Sequence, residues 1–566
     1  MGIRRIATRT LESLPLKQSL FTTQLPGEKL NNPSDHFSRL ARPVYAFYSF
    51  VQPEEIPDPS LLSVSPLAAS LIDLDVDSFS SKAFLDLFTG QQRQSENMKS
   101  WAMNYAGHQF SMFASQLGDG RVVTLFDITN QAGERYEIQL KGSGRTPFSR
   151  FGDGYAVLRS SIRNPIERGA LVVRLAPSWI RFGSFELFYS RNDMFKVRQL
   201  ADFCVEHVYT LQDHQPYDIT VKELKQVDPS YDTNFIVNKY AEFFIQVAKN
   251  TAKMVAQWQN NMSILGLTLD YGPFQFMDYY NPSNICNHSD DAGQYAFKRQ
   301  PTVCVYNLFK LGVPLFELIG AAEKVDTLIY ATKEENETIT ITDDQTRKKY
   351  REIGKTFVTK IVSEEFTDWF MEDLGTIMRK KLGILRQDET IMHDVVIPLL
   401  DWATEYEVDY HRFFRSLSRY RITEEGEEKD NHRALYESLS PTSTSSLLLD
   451  IITRDSAKLL ESKKALEPWL SMYRHCLLKE SPMVQNEARK LRMDAVNPRF
   501  ILRNWIAQDV IQTFHQSLND DNNDSNNDTE AKKILDACLY ACTHPYEDNY
   551  DNTIIERWLN STPEVS

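Results

Sequence analysis

Residues 116–153, QLGDGRVVTLFDITNQAGERYEIQLKGSGRTPFSRFGD, hold the side chains best suited to gripping an anion. Gly118 and Gly120 allow a ligand to come close to the backbone. Arg121 and Lys141 supply cations where phosphate oxygens can be held. The arrangement suits a nucleoside triphosphate, and a plain turn ahead of a hairpin uses the same glycines.

The elements that must position these groups follow from apolar spacing. The apolar run 121–128, the turn 129–134 and the alternation of Tyr136, Ile138 and Leu140 with Glu137, Gln139 and Lys141 predict a β-hairpin fed by the glycine loop. Residues 171–175 add a short strand, and 67–89 show helical spacing through Leu71, Leu74 and Phe79. Upstream, 25–66 are rich in Pro, Ser and Asn and predict an extended arm. Val197, Leu200, Ala201, Cys204, Val205 and Val208 recur at three and four, as in an amphipathic helix. Phe244, Val247, Ala248, Thr251, Val255 and Trp258 repeat the pattern in a helix ending just before Asn260. Beyond Asn307 the chain reads as helical, interrupted by a charged linker at 424–431 and a low-complexity, disordered loop at 519–530. Strands followed by helices give an α+β class.

A net charge of −14 argues against a general nucleic-acid binder, because phosphate-backbone recognition draws on clustered Lys and Arg. No apolar run reaches the length of a bilayer span, which predicts a soluble chain acting on proteins and small molecules. Six scattered cysteines fit a reducing compartment. Cys538 and Cys542, four apart, and Cys286 near His288 lack the four convergent ligands of a zinc site and read as packed thiols. The start, MGIRRIATRTLESLPLKQSLF, is Arg-rich and carries one acid, Glu12, as a mitochondrial presequence does. The expected address is mitochondrial, with cytoplasm as the alternative.

Longer strings carry a resemblance. YAGHQFSMFASQLGDGR (105–121), QLKGSGRTPFSRFGDGYAVLRSSIR (139–163), RLAPSWIRFGSFELF (174–188) and NMSILGLTLDYGPFQFMDYYNPSNICNHSDDAGQYAF (261–297) resemble the selenoprotein O family of protein adenylyltransferases. The likeness continues through NPRFILRNWIAQ (497–508) and THPYEDNYD (543–551). It implies a protein-kinase-like bilobal fold with a small sheet-based N-lobe and a large, mostly helical C-lobe. The expected layout is a leader and arm over 1–66, a β-rich nucleotide lobe over 67–190, a helical catalytic lobe over 191–400 and a helical extension over 401–566.

It also implies ATP and Mg²⁺ as cofactors and Ser, Thr or Tyr hydroxyls of proteins as acceptors of AMP, with the nucleotide flipped relative to kinases to expose its α-phosphate. By this resemblance Gly118, Gly120 and Arg121 contact the nucleotide, Lys141 sits on the phosphates, and Asp153 and Gly154 add contacts. Arg174 and Arg181 grip phosphate oxygens, and Asn261 and Asp270 hold the metal, Asp270 ending a strand-like run at 262–269. A carboxylate with an amide oxygen suits Mg²⁺, which keeps several waters and takes its other ligands from phosphate.

Two departures bear on activity. Relatives carry a glutamate directly after SSIR that pairs with the strand lysine, whereas here Arg163 is followed by Asn164, Pro165 and Ile166, and a helix-length segment is missing. A second gap puts Asn260 where relatives place the aspartate that serves as catalytic base. An amide cannot take the proton. The alternatives to an adenylyltransferase are therefore a nucleotide-binding pseudoenzyme and an ordinary protein kinase. The final TPEVS lacks the Cys-containing tail of many relatives, so their redox control is not expected.

Overall fold

The computed structural model describes residues 8–29, 38–55, 59–61, 63–90, 98–109, 112–155, 170–176, 180–207, 237–261, 277–285, 290–330, 342–388, 390–422, 456–480, 486–519 and 525–561. These form an α+β protein of two compact units, one of 1–249 with 305–366 and one of 250–304 with 367–566. The boundaries differ from the consecutive blocks that the sequence suggests, because 305–366 folds back into the first unit.

The first unit is built on an antiparallel sheet. Strands β1 (Leu16–Lys17), β2 (Tyr48–Phe50), β3 (Trp101–Met103), β6 (Val122–Thr129), β7 (Arg135–Lys141) and β8 (Ala170–Leu175) run in the order β2-β3-β6-β7-β8, with β1 on β6. A separate hairpin pairs β4 (Gly107–Gln109) with β5 (Met112–Ala114). The β6–β7 turn closes where Asn130 Oδ1 accepts from Glu134 N at 2.9 Å and Gly133 takes a positive φ of 84°. Val123, Phe126 and Ile128 oppose Leu140, Ile138 and Tyr136 and enter one core with Phe84 and Phe88.

The polar residues of the β7 alternation are buried along with the apolar ones. Glu137, Gln139 and Lys141 are only 3%, 4% and 6% exposed. At Glu137 the leader-like start of the chain supplies contacts. Ser19 Oγ donates to Glu137 at 3.4 Å, Leu20 N to Asp127 at 3.3 Å, and Phe21 stacks on Trp101 at 5.0 Å. Arg9 is also bonded in, through Thr129 O at 2.8 Å and a bridge to Leu74. Residues 9–21 thus complete the sheet unit.

Beneath them Asp127 and Glu137 face each other across the strands. Burial, reinforced by the Glu137 charge, pushes Asp127 up to about 7 despite Arg135 Nε at 2.6 Å. A carboxyl whose folded value lies above its unfolded one stabilises the fold fully below the unfolded value of 3.8, and this contribution is lost as pH rises through about 7. Asp127→Asn is therefore expected to gain on the native chain between pH 5 and 8, by on the order of 2 kcal/mol. Melting curves at the two pH values check this, and a constant difference between them counts against it.

The single helical stretch expected over 67–89 is instead Pro66–Leu71, a 3₁₀ turn Val76–Ser80 and Lys82–Phe88, each with its own cap at Ser65, Asp75 or Ser81. Three side chains that bond to the backbone within one short stretch favour three starts over one long helix. The helices Phe182–Ser190, Met194–His207 and Lys239–Asn261 follow, with Val197, Leu200, Ala201, Phe244 and Ala248 fully buried. The last helix runs through Asn260 and Asn261 instead of stopping before them.

One helical stretch, Phe297–Gly320, is long and apolar enough to cross a membrane by length and composition, which corrects the expectation that none is. Its partner is protein. Gly320 and Gly354 each leave room only for a neighbouring backbone carbonyl, that of Tyr350 and of Phe316, and buried Glu317 pairs with Arg347 at 2.9 Å and with Arg351.

In the second unit, Met378, Leu382, Val396, Trp402, Tyr410, Phe414, Trp469 and Tyr473 belong to one core, and Phe500, Ile506, Ile534 and Trp558 to another. Arg503 is buried among carboxylates. Its Nη1 donates to Asp278 Oδ1 at 2.8 Å and its Nη2 to Asp409 Oδ2 at 2.7 Å. The low-complexity run is also shorter than expected, because one helix ends at Asn519 and the next, Ser525–Thr543, begins inside it. Asp528 and Glu530 fall in its first turns, where acids favour the helix N-terminus. Cys538 is buried, and hydrogen bonding to Cys542 together with burial pushes its thiol up, while the same hydrogen bond pulls the Cys542 thiol down. The linker 424–431, the run 262–269 and Cys286 lie outside the described residues.

Candidate functional site

The glycine loop is fixed by what surrounds it. Leu117 N and Gly118 N donate to Tyr105 O at 2.8 and 3.1 Å, and Asp119 N donates to Met103 O at 2.9 Å. Gly118 has φ +67°, and an added Cβ there would fall 2.3 Å from the Phe148 ring. At Gly120 it would lie 3.0 Å from Phe148 O. The expectation that these glycines leave room for a ligand thus meets a different use, since the space beside both is filled by the loop that follows β7.

That following loop starts at Lys141 and returns to its own base. Arg121 O accepts from Gly142 N at 2.7 Å, and Val122 pairs with Lys141, so Arg121 and Lys141 lie side by side at one end of the hairpin. Thr146 Oγ1 donates to Asp119 O at 2.6 Å and Ser149 Oγ to Gly120 O at 2.5 Å. Gly144 N then donates to Gly154 O at 3.1 Å, and Asp153 Oδ1 takes Tyr155 N at 3.1 Å. Gly154 has φ +77°, with the Gly144 carbonyl 2.0 Å from where a Cβ would stand, so only glycine closes this loop.

Arg181 joins the assembly from the helix it precedes. Its Nη2 lies 3.7 Å from Asp119 Oδ1 and its guanidinium 4.4 Å from the centre of the Tyr105 ring. The start of the helix Phe182–Ser190 packs on the same strand end, with Ala106 N donating to Gly183 O at 2.9 Å and Ser184 Oγ to Asn104 O at 3.2 Å. Gly118, Gly120, Arg121, Lys141, Asp153, Gly154 and Arg181 therefore share one bonded set of loops.

Arg174 stands on β8 opposite Glu137, while Lys141 pairs with Ala170. About 13 Å of strand separates the two positions, and the Arg174 side chain lies outside the description. Asn260 and Asn261 are the last residues of the helix Lys239–Asn261, described for their backbone alone. Asp270 and the junction Arg163–Asn164 are not among the described residues. No group of three or more His, Cys, Asp and Glu that could hold a metal occurs among those that are.

Asp119 and the packing residues Phe148, Thr146 and Ser149 carry no spacing that marks them in the sequence. A signal for Asp119 was present. A carboxylate between two glycines of a phosphate loop has the wrong sign for its ligand, and a buried one requires a cation nearby.

Comparison with known proteins places the chain among nucleotidyltransferases. The family model described as protein adenylyltransferase SelO matches residues 32–167 and 164–532. The mitochondrial protein adenylyltransferase SelO of Schizosaccharomyces pombe is 32% identical over 558 residues, covering 89% of this chain and 91% of the relative. The protein nucleotidyltransferases YdiU of Myxococcus xanthus and Thiobacillus denitrificans are 32% and 33% identical over 512 and 517 residues, covering 83% and 84% of this chain and 88% of each relative. The chain belongs to the SelO family.

Proposed function

We propose that this chain uses ATP and Mg²⁺ to transfer AMP to Ser, Thr or Tyr hydroxyls of proteins, on a protein-kinase-like bilobal fold, at a rate limited by two lost segments. The observation that carries the reading is the bonded set of the glycine loop, Lys141, the 142–155 loop and Arg181 in a member of this family. Transfer of this kind depends on positioning and charge neutralisation, with little covalent work by the protein. Lys141, Arg121, Arg174 and Arg181 serve as phosphate cations, and Gly118, Gly120, Asp153 and Gly154 shape the loops between them.

Asn261 and Asp270 fit Mg²⁺ by donor type, and the carbonyl end of the helix that Asn261 closes favours a cation. When bound there, the ion offsets phosphate charge. In the reaction the acceptor hydroxyl oxygen bonds to the α-phosphorus, the bond to pyrophosphate breaks, and the hydroxyl proton needs a base. Asn260 holds the base position and cannot take it.

The two stretches matched by the family model meet at 164–167, where SSIR runs directly into NPIERG. This supports a segment missing there, and with it the loss of the glutamate that orients Lys141. Asn260 favours the second reading, a pseudoenzyme that binds nucleotide without turnover. ATP labelled at either phosphate separates the readings: α-label on protein supports AMP transfer, γ-label a kinase, and neither a pseudoenzyme. For the address we favour mitochondria, in line with the Arg-rich start and the fission-yeast relative named as mitochondrial. Cleavage that spares the sheet unit must then fall before Arg9.

Asp270→Ala is expected to abolish the Mg²⁺-dependent part of ATP binding. Binding at [L] = 100 Kd stabilises a protein by about 2.7 kcal/mol, so the rise in melting temperature with ATP and Mg²⁺ should fall to that with ATP alone. An unchanged rise moves the metal to other ligands.

A further inference from the structure

A carboxylate inside a loop that is to hold phosphates raises the question of what it is for. Asp119 is 2% exposed, and such a group loses its hydration unless hydrogen bonds and an opposite charge replace it. Two neighbours do so from different directions. Asp119 Oδ2 accepts from Met103 N at 3.0 Å, while Asp119 N donates to Met103 O at 2.9 Å, a reciprocal pair that ties the glycine loop to the end of β3. Oδ1 faces Arg181 Nη2 at 3.7 Å, which is an ion pair and too long for a hydrogen bond.

The same arginine has a second constraint. Its guanidinium lies 4.4 Å from the centre of the Tyr105 ring, and Tyr105 O receives Leu117 N and Gly118 N from the glycine loop. Asp119 therefore holds one nitrogen of the guanidinium by charge, and the Tyr105 ring lies against its central carbon. Two contacts from different elements restrict a rigid fork of donors more than either does alone. The Arg181 side chain is 29% exposed and lies just ahead of the first turn of its helix.

We infer that Asp119 is a positioning residue for nucleotide binding: with Tyr105 it holds the Arg181 guanidinium at the position from which it meets phosphate. This deepens the proposed function and rests on its assignment of Arg181 to phosphate. The role explains why a loop of glycines and an arginine keeps an acid at its centre. The negative charge is neutralised by the arginine it orients, so the pair costs the site little net repulsion.

The test is a double-mutant cycle on the full chain, read as ATP affinity by calorimetry. Asp119→Asn keeps an oxygen for Met103 N and removes the charge, so the unliganded melting temperature should stay within a few degrees. ATP binding should weaken about three- to tenfold, and Arg181→Ala should weaken it at least as much. In the Arg181→Ala background, adding Asp119→Asn should change affinity by less than about twofold, because the two act through one contact. A further loss as large as in the native background overturns the proposal, as does tighter binding by Asp119→Asn, which would make the acid a source of repulsion.

Arg181→Lys gives a second reading that does not depend on Asp119→Asn folding. It keeps the charge and loses the planar fork, so it should bind ATP as weakly as Asp119→Asn, and native affinity overturns the proposal. Lys141→Ala separates the two levels of the argument. If it weakens ATP binding while Arg181→Ala does not, the nucleotide reading stands and the pairing fails. If neither weakens binding, the nucleotide reading fails and takes the pairing with it.

Discussion

On the proposed loss of two segments, inserting them is expected to raise AMP transfer by about 10² to 10⁴, the usual worth of a general base, and by more once Lys141 regains an orienting glutamate. The native chain and a version carrying a relative's segments at Arg163–Asn164 and Gln259–Asn261 should bind ATP with Mg²⁺ alike, since the cations and the metal donors are common to both. Binding and turnover should thus separate, one read by thermal shift and the other by transfer of α-label. Asn260→Asp alone should recover little of the rate. Asn260 lies within the last turn of the helix Lys239–Asn261, so a carboxylate there is carried by helical backbone instead of the loop that brings a base within roughly 3 Å of its proton. Robust transfer by the unaltered chain would mean that another group supplies the base.

In the second unit, Arg503→Met should cost about 3–5 kcal/mol, the penalty for removing one partner of a buried charge network. Arg503 is 4% exposed, Asp409 is 1% exposed, and both Asp409 and Asp278 lean on its guanidinium. Burial acts to lower the arginine's proton affinity, and the two carboxylates more than reverse this, leaving it raised. Asp409 Oδ1 also caps the helix Tyr410–Leu417 through Arg412 N at 3.1 Å, and Tyr280 N donates to Val408 O at 2.8 Å.

Losing Arg503 should therefore loosen residues 277–285 and 408–417 together. Hydrogen exchange resolved along the chain reads this directly, which matters because a chain of two units need not unfold in one step. Protection retained in both stretches would show that Arg503 is not what holds them. Because 277–285 lie shortly after Asp270, the same variant should also reduce the Mg²⁺-dependent part of ATP stabilisation.

Local pattern determined much of the sheet unit. Alternation and turn chemistry marked the β6–β7 hairpin, and three-and-four spacing marked the helices Met194–His207 and Lys239–Asn261, because those signals lie within single elements. The family was legible in long strings such as QLKGSGRTPFSRFGDGY. The tertiary structure decided what pattern cannot carry. Glu137 alternates with apolar residues and is buried with them, where Gln18 and Ser19 arrive from more than a hundred positions away to bond with Arg135 and Glu137. Gly118 also has Phe148 where a side chain would stand, a packing demand that the sequence does not show. Asp119 reads as the wrong charge for its loop until Arg181 stands beside it. Each of these depends on which distant groups come to share a space, and a residue's type and its neighbours in sequence do not contain that information.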